Sequence, residues 1–146
     1  MIEPGVETDA LARGVIGAAI EVHRALGPGY LESVYEEALA IELDRRGILF
    51  ERQKAFALAY KGHPVGQGKL DFLIAGRLVV ELKATEALAP IHDAQVISYL
   101  KATGCGLGLL VNFNVRLLKN GIKRIVLSGS GAAAFPVEKT AVVEED

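Results

Sequence analysis

The sequence predicts one domain of the α/β class, with an α+β arrangement compatible with the same element order. Three observations carry this reading. Two helical periodicities open the chain, strand-like alternation takes over between Phe50 and Lys83, and a third helix precedes a short, almost continuously apolar run from Leu107 to Phe113.

Leu11, Val15, Ile16, Ala19, Ile20, Val22 and Leu26 place one apolar face on a helix spanning Ala10–Leu26, which Gly27-Pro28-Gly29 breaks. A second helix is expected from about Tyr30 to Arg46. Its stripe is Leu31, Val34, Tyr35, Ala38, Leu39, Ile41 and Leu43, and Gly47 stops it. Phe56, Leu58 and Tyr60 alternate with smaller residues in a strand, and Lys61-Gly62-His63-Pro64 reads as a turn. Two apolar strands between Lys69 and Lys83 flank Ala75-Gly76-Arg77, the signature of a hairpin. Pro90 suits the first turn of a third helix running to about Ala102. Leu107–Phe113 reads as a buried central strand. Asn120-Gly121 signals a second hairpin, between Val115–Lys119 and Ile122–Leu127. The expected domain covers residues 1–128, followed by a flexible tail over residues 129–146, where the sequence turns Gly/Ala-rich and then acidic.

Composition narrows the function classes. The chain has 146 residues, 51% of them hydrophobic, enough for a single core. The single cysteine, Cys105, excludes an internal disulfide framework and reads as a buried, inert thiol. The acidic Met1–Asp9 segment lacks a signal-peptide pattern, and no apolar run approaches the roughly 18 residues that span a bilayer. A cytoplasmic protein without a membrane partner is expected. A formal net charge of −2 argues against a tight, non-specific nucleic-acid binder. It leaves room for a local basic groove or a bound metal that supplies positive charge. No Walker A loop, dinucleotide fingerprint, zinc motif or Ser-His-Asp candidate appears.

The chemistry concentrates in the hairpin centred on Gly76. Strand alternation puts Lys69, Asp71, Leu73, Val79, Glu81 and Lys83 on one side and the wholly apolar Leu70, Phe72, Ile74, Leu78, Val80 and Leu82 on the other. Asp71 then opposes Glu81, with Cβ atoms about 5 Å apart. Two carboxylates at that range repel unless a proton or a cation lies between them. Their oxygen donors suit a hard divalent ion, Mg²⁺ or Mn²⁺. Lys83, about 7 Å further along the strand, can reach a water or a scissile phosphate. The same residues also read as a solvated cross-strand charge ladder, and the hairpin alone does not choose between the two.

Asp71 followed by Glu81-Leu82-Lys83 resembles the D…(D/E)-x-K signature of the PD-(D/E)xK nuclease superfamily, with Leu70 in place of the usual proline. Gly29-Tyr30-Leu31-Glu32-Ser33-Val34-Tyr35 matches the motif that names the GxxExxY protein family, a bacterial and archaeal branch of that superfamily. Further similarity lies in Glu21-Val22-His23-Arg24, Gly27-Pro28-Gly29, Ala94-Gln95 and Lys119-Asn120-Gly121-Ile122-Lys123-Arg124.

The resemblance implies a mixed central sheet, an antiparallel meander plus a further strand, flanked by helices. It implies metal ligation by Glu32, Asp71, Glu81 and the Leu82 carbonyl, with Asp71, Glu81 and Lys83 as the catalytic set. By itself Glu32 reads as an ordinary exposed helix glutamate. Tyr35 shares its helical face and reads as a core aromatic. Gln95 and Tyr99, four apart on one helical face, resemble the Q-x-x-x-Y motif of RecB-like members, whose residues line the active site and contact nucleic acid. His23 occupies a region where some RecB-like enzymes carry a histidine ligand, although a satisfied structural histidine is the favoured reading.

The expected function is therefore hydrolysis of phosphodiester bonds in DNA or RNA, dependent on Mg²⁺ or Mn²⁺ and leaving a 5′-phosphate. The alternative is a nuclease-fold binding or assembly module with little or no catalysis. An exposed edge at the Asn120-Gly121 hairpin offers a route to a homo-oligomer.

Overall fold

A computed structural model describes residues 5–127, so the expected tail beyond residue 128 lies outside the described residues. Helices α1 (Val6–Leu26) and α2 (Glu32–Arg45) precede strands β1 (Phe50–Tyr60), β2 (His63–Ile74) and β3 (Leu78–Lys83). Helix α3 (Pro90–Thr103), strand β4 (Leu107–Asn112), a 3₁₀ turn (Leu118–Gly121) and strand β5 (Ile122–Val126) follow among the described residues. Among the described residues no helix is long and apolar enough to cross a membrane.

The five strands form one mixed sheet in the order β1-β2-β3-β4-β5. The meander β1-β2-β3 is antiparallel, β3 and β4 are parallel, and β5 returns antiparallel to β4. A parallel pair cannot be joined by a tight turn, and α3 provides the crossover. Alternation on β3 and β4 then divides the interior. Leu78, Val80, Leu82, Leu107, Leu109 and Val111 pack on the side of α1 and α2, while Val79 and Leu110 pack against Val96 and Leu100 of α3. Being covered on both faces explains why β3 and β4 read as nearly unbroken apolar runs.

The Gly76 hairpin forms as expected, pairing Ile74 with Leu78 and Leu73 with Val79. Ala75 and Gly76 both take positive φ, of 50° and 70°, the turn sense that matches strand twist.

Leu70 departs from the expected pattern. It packs with Val79, Val96 and Leu100, on the opposite side from Phe72. The alternation breaks at Asp71. There the neighbouring strand carries Gln53 at φ 48°, between the Arg52–Phe72 and Lys54–Leu70 pairs. A left-handed non-glycine residue rotates the strand locally, which period-two reasoning cannot foresee. On α2, Val34 and Ile41 are exposed rather than part of the core stripe.

The Asn120-Gly121 signal is also corrected. Val115–Lys119 is not a strand, Leu118–Gly121 is a 3₁₀ turn, and β5 pairs with β4 instead. No positive φ occurs at Gly121. A Cβ there would overlap the Asn112 carbonyl oxygen, so close approach is what requires a glycine. Gly121→Ala is therefore expected to destabilise the fold by about 1–3 kcal/mol, whereas Asn120→Ala at the exposed neighbour stays within about 0.5 kcal/mol, as read by urea denaturation.

Candidate active site

Pairing between β2 and β3 runs from Ile74–Leu78 to Phe72–Val80 and then stops. Beyond it, β2 continues its pairing with β1, and β3 continues alongside β4 as far as Lys83. The strands part at Asp71 and Glu81, and their carboxylates take over the hydrogen bonding. The Asp71 amide donates to Glu81 Oε2 at 2.8 Å, and the Leu82 amide donates to Asp71 Oδ2 at 2.8 Å. Each acid is thus held by the backbone of the opposite strand, with one oxygen spoken for.

The expected adjacency of Asp71 and Glu81 is present. Glu81 is only 4% exposed, and burial, followed by the charge of Asp71, pushes its carboxyl up to about 8, against opposing contributions from the Asp71 amide and Lys83. Asp71 is also raised, chiefly by burial, with the Leu82 amide pulling the other way and the Glu36 charge adding to the rise. Glu32, at the start of α2, is raised by burial and then by Asp71, with Lys83 opposing. Four carboxylates, Asp71, Glu81, Glu32 and Glu36, therefore share one region, and Lys83 opposes the rise in the first three.

Glu36 and Gln53 are site neighbours that sequence reasoning missed. Gln53 Nε2 donates to Glu36 Oε1 at 2.9 Å and reaches Asp71 Oδ1 at 3.4 Å. Arg52 ties Glu36 and Glu37 down at 3.0 and 2.7 Å. The available signal was the spacing of Glu36, one helical turn after Glu32. Asn112 also went unnoticed. Buried at the end of β4, it accepts from the Thr85 and Asn114 amides through Oδ1 and donates to the Thr85 carbonyl through Nδ2. These bonds fix the chain leaving Lys83, with which Asn112 pairs.

Gln95 and Tyr99 join the site from α3. Gln95 Nε2 donates to the Tyr99 hydroxyl at 3.0 Å, and the Phe56 ring meets Tyr99 edge-on at 5.2 Å. Burial, then the charge of Glu81, raises the Tyr99 phenol above its usual range, which places Tyr99 within the field of the acids. Gln95 Oε1 is buried without a partner among the described residues. Leu82 contributes its amide, while its side chain fills the core. His23 is buried with Nε2 2.7 Å from the Val115 carbonyl oxygen, a structural hydrogen bond. Tyr35 is buried and stacks on Phe113 at 4.6 Å.

The sequence matches the family model described as PD-(D/E)XK nuclease superfamily over residues 9–125. The chain belongs to the PD-(D/E)XK nuclease superfamily. No curated protein matches it in sequence. Among solved structures it is similar to SSO0001, at 18% identity and a TM-score of 0.48, covering 94% of this chain and 64% of that one. It is also similar to an alkaline exonuclease (LHK-Exo) from Laribacter hongkongensis, at 14% identity and a TM-score of 0.46, covering 86% of this chain and 72% of that one. The chain thus spans just under two thirds of the length of the first of these.

Members of the PD-(D/E)XK superfamily typically use a divalent metal, and the donor set here fits one in part. Asp71 and Glu81 are hard oxygen donors forced together against their own repulsion, a conflict that a cation removes. Among the described residues, however, no three His, Cys, Asp or Glu side chains converge on a ready-made metal centre. Glu32 lies exposed at the start of α2, and Asp71 and Lys83 both act on its carboxyl.

Proposed function

We propose that this protein is a metal-dependent nuclease of the GxxExxY type, hydrolysing phosphodiester bonds in DNA or RNA. The observation that supports it most is the interlocked Asp71–Glu81 pair, with Glu81 buried, Asp71 half-buried and Lys83 acting on both. In this reading Asp71, Glu81 and Glu32, with the Leu82 carbonyl, hold Mg²⁺ or Mn²⁺. When bound, such an ion lowers the pKa of water and offsets charge developing on phosphate.

The chain's own residues supply the rest. Lys83 orients the attacking water and neutralises a non-bridging phosphate oxygen. The unpartnered Gln95 Oε1 and the Tyr99 hydroxyl place the substrate strand, and the product carries a 5′-phosphate. The expected result is Mn²⁺- or Mg²⁺-dependent cleavage of labelled single- or double-stranded DNA or RNA that falls by at least about 10²-fold in Asp71→Asn. Equal cleavage by wild type and variant would contradict it.

A second reading, a nuclease-fold binding or assembly module, draws on the absence of a ready-made three-ligand centre among the described residues. Failure of the wild type to cleave any of these substrates, with no thermal stabilisation by either ion, would favour it.

A further inference from the structure

Between the end of α1 and the segment that follows β4 lies a cavity of about 450 Å³ that the proposed chemistry does not use. One wall is the end of α1 with Gly27 and Pro28; the other is the segment Arg116–Lys119 that follows β4. Both walls stand at the end of the sheet where Lys83 lies. Lys83 pairs with Asn112, the Phe113 amide donates to the Lys83 carbonyl at 2.9 Å, and the chain passes from there to Arg116. The first wall leads within a few residues to Glu32, at the start of α2.

The cavity is preformed. His23 Nε2 joins α1 to the second wall through the Val115 carbonyl at 2.7 Å. The Tyr35 hydroxyl donates to the Gly27 carbonyl at 2.6 Å and accepts from the Tyr30 amide at 3.2 Å, while its ring stacks on Phe113. Tyr35 thereby pins the Gly27–Tyr30 loop to the end of β4.

Charge identifies the occupant. Arg24, Arg116 and Lys119 rim the cavity. Arg24 is paired with Glu21 at 3.0 Å, whereas Arg116 and Lys119 are exposed and make no salt bridge among the described residues. The C-terminal end of α1 disfavours an anion, so the anionic part of a ligand belongs on the Arg116–Lys119 side. Ile20, Pro28 and Leu117 then offer an apolar surface to a sugar or a base.

The neighbouring carboxylates repel a polyanion, and the chain is net negative. A nucleic-acid strand therefore needs cationic contacts outside the cleavage centre to stay bound.

We propose that this cavity is a strand-binding subsite, in which Arg116 and Lys119 contact a phosphodiester of the substrate next to the segment being cleaved and the aliphatic wall takes its nucleoside. The proposal rests on the nuclease reading for its substrate but makes its own prediction about binding.

The test is fluorescence anisotropy of a labelled single-stranded 12-mer, DNA and RNA, with the full chain in EDTA over a series of salt concentrations. Without divalent ions no cleavage occurs and the carboxylates offer no attraction, so the cationic contacts are isolated. Arg116→Ala/Lys119→Ala is expected to raise Kd about tenfold or more and to make the salt dependence shallower by about one unit of slope. Arg116→Lys should recover most of the affinity, and Arg45→Ala, an exposed cation on α2, should change Kd less than about twofold. Thermal melts establish that the variants remain folded.

Wild-type affinity in the double variant overturns the proposal, as does the absence of any oligonucleotide binding by the wild type. Displacement by a free 5′-mononucleotide at concentrations matching the oligonucleotide's own Kd also overturns it, since the cavity would then be a mononucleotide site. Binding that depends on Arg116 and Lys119 in a protein that never cleaves leaves the subsite standing and removes the nuclease reading. Asp71-dependent cleavage with unaltered binding in the double variant does the reverse.

Discussion

Lys83→Met is expected to lower metal-supported cleavage by about 10²–10³-fold while leaving divalent-ion binding intact or slightly tighter. The two effects separate because Lys83 is itself a cation. Its charge lowers the pKa of Asp71, Glu81 and Glu32, so it works with a metal on the carboxylates but repels that metal directly. Methionine keeps much of the aliphatic volume beside Asn112 and removes only the ammonium. Single-turnover cleavage at saturating Mn²⁺ measures the first effect, and a parallel metal titration measures the second. A variant that cleaves at the wild-type rate would show that the lysine serves the solvated charge ladder and not the reaction. A variant that loses metal binding would assign it a structural part in assembling the acids.

In the absence of divalent ions, the protein should lose stability as pH rises from about 5 to about 8. Glu81 has a folded pKa of about 8 against an ordinary value of 4.5, so the native state retains a proton that the unfolded chain releases across that window. Stability from this group is full below the unfolded value and is lost as pH rises through the folded one. Asp71 and Glu32 are raised as well and act in the same direction. The slope reaches at most about 1.4 kcal/mol per pH unit for each proton retained. Glu81→Gln, which cannot ionise, should flatten most of the profile and exceed the wild type in stability above about pH 8 by up to several kcal/mol. Added Mg²⁺ should stabilise the wild type, increasingly as pH rises, because the ion replaces the proton, and should do little for the variant. Urea melts in EDTA and in Mg²⁺ across this range measure both. A pH-independent wild type would contradict the burial and repulsion assigned to the pair.

Much of this site was legible in the hairpin. Period-two alternation around Gly76 correctly brought Asp71 and Glu81 together on neighbouring strands, because Ile74–Leu78 and Leu73–Val79 pair in the expected register. The helical spacing of Gln95 and Tyr99 likewise put the two on one face, where they hydrogen-bond to each other. What alternation could not convey was the break at Asp71, opposite the left-handed Gln53, beyond which Leu70 packs on the other side of the sheet from Phe72. Nor could local propensity reveal that β2 and β3 part there, since that depends on β3 being drawn alongside β4. Asn120-Gly121 carried a turn signal strong enough to suggest a hairpin. Its glycine answers instead to a carbonyl distant in sequence, a tertiary demand without a local mark. Glu36 and Asn112 were overlooked for a similar reason, as each acquires its role only through partners that the fold supplies.

Isothermal titration of Mn²⁺ into the wild type and Asp71→Asn bears most directly on the proposal that Asp71 and Glu81 jointly hold a divalent cation. Saturable binding by the wild type, accompanied below about pH 8 by proton release and abolished by the substitution, is the expected outcome. Binding that survives Asp71→Asn unchanged, or a wild type that binds no ion, would contradict it.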